Sequence, residues 1–574
     1  MASKKLFHKY LNKTFVALAA ALSSSGIVSS QANHSTLTDI PAPEPVPITT
    51  KSAARFLSQS TMGFSPNDLQ LVTSMGINEW LQLQIRKPAT KTEPYIKNIQ
   101  HRFGKDKTTA KRDLAYHKVN ARQTNVGYKN FGTAWMRAVI NGPDQLRQRV
   151  AWALSQILVT SNRTNTLTRG TANYYDLLLE HAFDDYEQLL TNVTFHPIMG
   201  RYLSYLGNKK ARPKKNLFPD ENYAREIMQL FSIGLWELNK DGTKRLDKYG
   251  EAIPTYSNND VVELARIFTG FTLHGERSRM STWEKYHVPM DIHRREHDTG
   301  HKQALSGNIN IPANMPPEEE IQLAISQLVV HPNTAPFIVT RLINHLVTSN
   351  PSPQYVRRVV EEWENTSGNL GSVVKAILTD RESRNEKYYQ SVSYGRLKEP
   401  LLRLTSFLRA FLCGQISSDN LYKVEGPQWW TPDPLEYLYQ APLRATSVFS
   451  FFEPDYKKPG LIADRSLYSP EFQILHDSSV LAMANYFWLG LNKGFHHGAN
   501  IHPTSQLNCD FSSYFSLPPK ELIAQLDLLL TASSMKSEVK KLLAMRSSAF
   551  DDPQERIRQT IYSVLLSPEA AIQR

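Results

Sequence analysis

Asp220-Glu-Asn-Tyr-Ala-Arg-Glu-Ile-Met-Gln-Leu-Phe-Ser-Ile-Gly234 reads as one amphipathic helix with a glycine stop. Tyr223, Ile227, Leu230 and Phe231 fall on one face, while Asn222, Arg225, Glu226 and Gln229 share the opposite stripe at i, i+3, i+4 and i+7. The helical period repeats on both sides. Leu146, Val150, Leu154 and Ile157 recur at 3.6-residue spacing within 144–158, and Ser65-Pro66 opens a helix that Met75-Gly76 stops. Segments 318–330, 335–347, 353–364 and 370–379 follow with short connections, another helix runs over 398–412, and the tail from Pro518 is helical again. Strand signal is sparse. Leu235–Asn239, the Asp241-Gly242 turn and Ile253–Tyr256 predict a small β-ribbon projecting from the helices. The expected fold is mostly α: a large multi-helical body with a small β-ribbon insertion and a helical C-terminal half.

Before the first helix the chain carries an address. Lys4, Lys5, Lys9 and Lys13 precede the apolar run Phe15–Leu22, and Ser30-Gln-Ala32 supplies small residues for cleavage. Residues 1–32 therefore read as a signal peptide for the Sec route, with a periplasmic or extracellular destination. The run is too short to span a bilayer, and no later window is long and apolar enough, so no transmembrane segment is expected in the mature chain. Cleavage removes four lysines and no acids, lowering the net charge from +12 to +8. That balance permits an anionic partner, whereas nucleic acid is not expected without a reader motif. Residues 33–50 form a proline-rich lead-in, 51–315 an N-terminal helical region with the ribbon, and 316–574 a C-terminal helical region packed on the first as one body. Cys413 and Cys509 either pair across 96 residues or remain buried thiols.

The polar stripe on the Asn222 helix can orient a substrate, with Glu226 as acid or base; a solvated face with internal ion pairs is the alternative. Ser257 and Asp260 read as a helix cap, followed by Glu263 and Arg266. In Asp291–Lys302, His293, His297 and His301 stand four apart with His287 upstream. That spacing would suit a metal on a helix, but Gly300 and the poor helical character argue for separate surface histidines. No cofactor is expected beyond that option at His297. Glu237–Thr243 resembles the start of a calcium loop but has Lys248 where the bidentate glutamate belongs, which excludes that mechanism. The cations of Lys209-Lys-Ala-Arg-Pro-Lys-Lys215 form either a solvated loop or a fence for an anionic ligand beside Arg225. Trp429-Trp430, Tyr437 and Tyr439 suit sugar stacking or core packing. Phosphate-binding loops, dinucleotide turns, serine-hydrolase elbows and His-Glu-x-x-His are missing from the sequence.

Ala54–Phe64, Glu221–Gly234, Ile253–Tyr256, Glu263–Gly270, His297–Lys302, His331–Ile338 and Phe449–Asp455 together resemble the bacterial family called domain of unknown function 1800. The resemblance implies an exported, mostly helical protein whose gene often neighbours that of an exported sulfatase- or phosphatase-like protein. Asn222, Arg225, Glu226, His297, Asp298 and Lys302 fall inside its motifs; His293 and His301 do not match its pattern. The expectation is an exported envelope protein that binds or processes an anionic or glycan polymer. Glu226, His297 and Asp298 would carry the chemistry, with Asn222, Arg225, Gln229 and Lys302 holding the substrate. The alternatives are a non-catalytic secretion or assembly partner of the neighbouring protein and a metal-dependent hydrolase.

Overall fold

The helix expected within 144–158 spans Gln145–Ile157, and every one of its residues is buried. A helix enclosed on all sides must satisfy its polar side chains from within. Arg147 does so by donating to the carbonyls of Leu179 and Glu180 at 2.8 and 3.1 Å and to those of Ile85 and Lys87, each at 3.1 Å. It thereby caps the ends of two other helices, Ile77–Arg86 and Thr168–Glu180. Around it lies an aromatic core in which Trp135 packs against Trp152 and Tyr175.

The computed structural model describes residues 48–105, 128–163, 167–275, 285–423, 437–495, 507 and 509–574. The expected signal peptide, most of the lead-in, and Trp429-Trp430 lie outside them. Residues 48–574 form one compact unit dominated by helices. Local chemistry sets the helix limits. Ser65 and Asp68 form a reciprocal capping box, Pro66 occupies the first turn, and Gly76 ends the helix at φ 91°. Thr49 caps a helix beginning at Thr50, the last residue of the expected lead-in. Consecutive helices pack on each other: Thr334–Leu346 on Pro353–Asn365, and that on Leu370–Thr379. The Thr50–Ser60 helix touches both the central helix and Pro519–Thr531, joining early and late parts of the chain.

The described β-structure consists of two-stranded antiparallel pairs: Phe271–Thr272 with Asp291–Ile292, Lys302–Ala304 with Ile309–Ile311, and Arg396–Leu397 with Ile572–Gln573. In the expected ribbon, Glu237 N–H donates to Ile253 and Thr255 N–H to Leu235. Residues 243–247 complete the meander, with bridges Leu238–Lys244 and Leu246–Ala252. Asn333 clamps its base: Oδ1 accepts from Leu238 N–H at 2.6 Å, and Nδ2 donates to the Ile233 and Trp236 carbonyls. No described helix is long and apolar enough to cross a membrane.

Cys413 and Cys509 are joined as a disulfide, which resolves the two readings of the cysteines. Closing so long a loop removes conformations from the unfolded chain. Replacing both cysteines by alanine should lower the unfolding free energy by roughly 2–5 kcal/mol, measured by urea titration under oxidising conditions.

Candidate functional site

The Asn222–Gln229 helix buries Tyr223, Ala224, Ile227 and Met228. Tyr223 stacks on Tyr205 at 4.0 Å and meets the Thr194 hydroxyl at 2.7 Å, which fixes the rotation of the helix. Its polar stripe divides. Asn222 is exposed and reaches Ser204 Oγ at 3.3 Å. Arg225 is half-buried, with long contacts of 3.4 Å to Glu221 and 3.5 Å to Asn258. Gln229 accepts a hydrogen bond from the Tyr256 hydroxyl at 3.0 Å. Glu226 is buried, and its Oε2 has no partner. Burial raises its pKa to about 7 against the opposing pull of Arg225.

His297 lies in a different network. Its ring is fully buried; Nδ1–H donates to the Thr269 carbonyl at 2.8 Å, and Nε2 faces Glu320 Oε2 at 3.3 Å. Lys302, equally enclosed, donates to the Asp298 carbonyl at 2.5 Å and pairs with Glu320 Oε1 at 2.6 Å. Burial alone would raise the Asp298 pKa, but a two-pronged contact from Arg266 and the Gly300 N–H hold it below the ordinary carboxylate value. Gly270, at φ +88°, lets this loop close: a Cβ there would come within 3.1 Å of the His297 Cβ.

The Asn258–Ile267 helix packs on the Asn222 helix and also on Lys302–Ala304. The expected residues therefore form two groups on different partners. Glu226, Arg225 and Gln229 face Tyr256 and the start of the intervening helix, while His297, Asp298 and Lys302 face Arg266 and Glu320. The other histidines do not join them: His301 is exposed on Asn310, and His293 is half-buried. Among the described residues, no three His, Cys, Asp or Glu side chains converge in a metal-binding arrangement.

Sequence reasoning passed over Glu320, whose Pro317-Glu-Glu-Glu320 context marks a helix start without distinguishing the third acid. It also passed over a cavity between the Thr334–Leu346 helix, the end of the central helix and the Phe449–Pro454 loop. Arg341, Asn344 and His345 present a stripe at i, i+3 and i+4 along its wall, the signal that could have exposed it. Behind the wall, Glu399 Oε2 accepts from Trp152, Gln156 and Gln440, and Oε1 accepts from Arg396 at 2.7 Å. Burial works against ionising Glu399, but Arg396 overrides it and draws its pKa to about 2.

The family model described as Protein of unknown function (DUF1800) matches residues 55–572. The chain belongs to that family. Both networks and the cavity lie inside the matched region. No curated protein and no solved structure shows significant similarity to the chain.

Two outcomes follow from this geometry. Lys302→Met would leave Glu320 buried without its cation and should cost about 3–5 kcal/mol, read as a lower urea midpoint. For Glu226, the raised pKa means the folded state keeps a proton that the unfolded chain releases between pH 4.5 and about 7. Its stabilising contribution is complete below pH 4.5 and is lost as pH rises through about 7. Glu226→Gln should flatten the fall in urea midpoint over that interval and leave the variant relatively more stable at pH 8.

Proposed function

We propose that this is an exported envelope protein that binds an anionic polymer, glycans included, without using Glu226 and His297 as an acid–base pair. The ligand would lie along Lys209–Lys215 and the exposed edge of the Asn222 helix. The observation supporting this reading is the state of the cations. Lys209, Lys214 and Lys215 are exposed with no ion-pair partner among the described residues, whereas Arg212 is held by Glu296 at 2.6 Å. The loop is also built to present them. Lys210 N–H donates to the Glu296 carbonyl, Arg212 bridges Leu217, and Asn208 ties to Asp220 at the foot of the helix. Fixed, unpaired cations on one edge attract a polyanion through a field that salt screens. The enclosure of His297 and Lys302 supports binding over processing, because substrate cannot reach either side chain without opening the network.

A second reading, a secretion or assembly partner of the neighbouring sulfatase- or phosphatase-like protein, is favoured by apolar side chains around the same region. Phe218, Leu246 and Tyr249 are 62%, 58% and 77% exposed. The two readings separate in one experiment. Replacing Lys209, Lys214 and Lys215 by glutamine should weaken retention on immobilised polygalacturonate at least tenfold at low salt and reduce its salt sensitivity. Replacing Leu246 and Tyr249 by serine should leave retention intact. The reverse pattern, or an unchanged lysine variant with a normal melting curve, would overturn the polymer reading.

A further inference from the structure

The cavity beside Arg341 lies on different elements from the lysine edge and has the features of a small-ligand site. It holds about 40 Å³ of water-accessible space and is partly open to solvent, with Phe449 exposed among its lining. That inner space takes a carboxylate with its nearest hydroxyl groups, the rest of a larger ligand lying in the open mouth. Among the described residues, the Arg341 guanidinium makes no hydrogen bond or ion pair; it lies over the Phe337 ring at 4.9 Å and within the field of Asp455. Burial lowers its pKa only to about 10, so it remains a cation at neutral pH.

Three further side chains lining the cavity each carry an oxygen with no partner: Gln156 Oε1, Ser450 Oγ and Glu471 Oε2. Their residues are 7%, 3% and 2% exposed, so bulk water does not satisfy these atoms. Each is held in place by its neighbours. Gln156 is anchored through Nε2 on Glu399 at 2.9 Å, and Glu471 through Oε1 on Arg396 at 2.7 and 2.9 Å. Ser450 sits at φ +68°, a left-handed position for a non-glycine, held by its carbonyl on Thr446 N–H and its N–H on Ser447. Several buried side chains are thus fixed with hydrogen-bonding capacity left over.

At the cavity wall Arg341 is a cation that no ion pair among the described residues engages directly. Glu399 and Glu471 act on Arg149 and Arg396, the exposed Asp455 acts on Arg341 without forming an ion pair, and His345 is neutral because burial drives its pKa down to about 3. Arg149 has no carboxylate partner; it donates to the His345 carbonyl and leaves Nε and Nη1 unpaired. A ligand that completes the site must bring one negative charge for Arg341 together with hydrogen-bond donors for the Gln156 and Glu471 oxygens. Inorganic phosphate or sulfate supplies the charge but lacks an array of hydroxyl donors. A neutral sugar supplies the hydroxyls and leaves the guanidinium unpaired.

We propose that this cavity binds a polyhydroxylated carboxylic acid, of which a uronic acid unit is the simplest sugar form. Its carboxylate pairs with Arg341, and its hydroxyl groups donate to Gln156 and Glu471, with Ser450 completing the set. The test is calorimetry and saturation-transfer NMR on the mature protein with galacturonate, glucose and inorganic phosphate. Galacturonate should bind saturably, at least tenfold more tightly than glucose or phosphate. Arg341→Gln should lose that binding at least tenfold, and Ser450→Ala should weaken it several-fold. The Lys209/Lys214/Lys215 glutamine variant should retain it, which separates this site from the polymer edge. Equal binding of phosphate would reduce the site to an anion hole, and equal binding of glucose would remove the role of Arg341; either result overturns the proposal. So does no galacturonate binding to the wild-type protein. If Arg341→Gln fails to fold, the ligand ranking and Ser450→Ala decide the matter on folded protein.

Discussion

Buried guanidinium groups at the C-terminal ends of helices are the contacts on which this assembly turns. The last carbonyls of a helix lack internal partners and carry partial negative charge. When those ends point into a core, water cannot serve them. Arg147 serves two such ends, and Arg149 and Arg396 share the His345 carbonyl at the end of Thr334–Leu346. Arg403 reaches the Leu565 carbonyl, and Arg409 binds the Ile140 and Gly63 carbonyls while pairing with Asp68. Arginine suits this task because its weakly hydrated fork offers several donors in fixed directions. Much of the helix packing is thereby directional, with individual arginines locating more than one helix end.

This use of charge changes what the basic composition means. A net +8 in the chain after the expected cleavage is not all displayed outward, since several cations are consumed inside. The same logic governs the His297 loop, where Lys302, Glu320 and Asp298 with Arg266 draw short strands and two helices together. Cations that remain without partners carry more information than the total. Lys209, Lys214 and Lys215 remain so at the surface, and Arg341 remains so at a cavity.

Much of the helical framework was legible because its signals are local. The Ser65–Asp68 and Ser257–Asp260 boxes, the glycine at 76 and the apolar spacing of 146, 150, 154 and 157 each act within a few residues. The ribbon was legible through Asp241-Gly242, although its middle segment was not, because isolated bridges leave little period-two pattern. The candidate site was harder. Glu226 and His297 both belong to motifs, but whether they meet depends on the helix carrying Arg266 between them. Glu320 approaches His297 and Lys302 only through tertiary packing. The cavity draws on positions near 156, 341, 450 and 471, and no window of sequence contains them together. Even the arginines of the central helix read as interruptions in an apolar pattern until their distant carbonyls are known.

The Arg396–Leu397 strand pairs with Ile572–Gln573, and Gln573 also donates to the Leu346 carbonyl beside the shared arginine clamp. These pairings exist only after both stretches have been made, so the centre of the body is finished by residues made long after its first helices. Until then the earlier helices stand with an unfinished interior. The order of synthesis therefore delays closure of the core and places a demand on whatever shields the incomplete chain meanwhile.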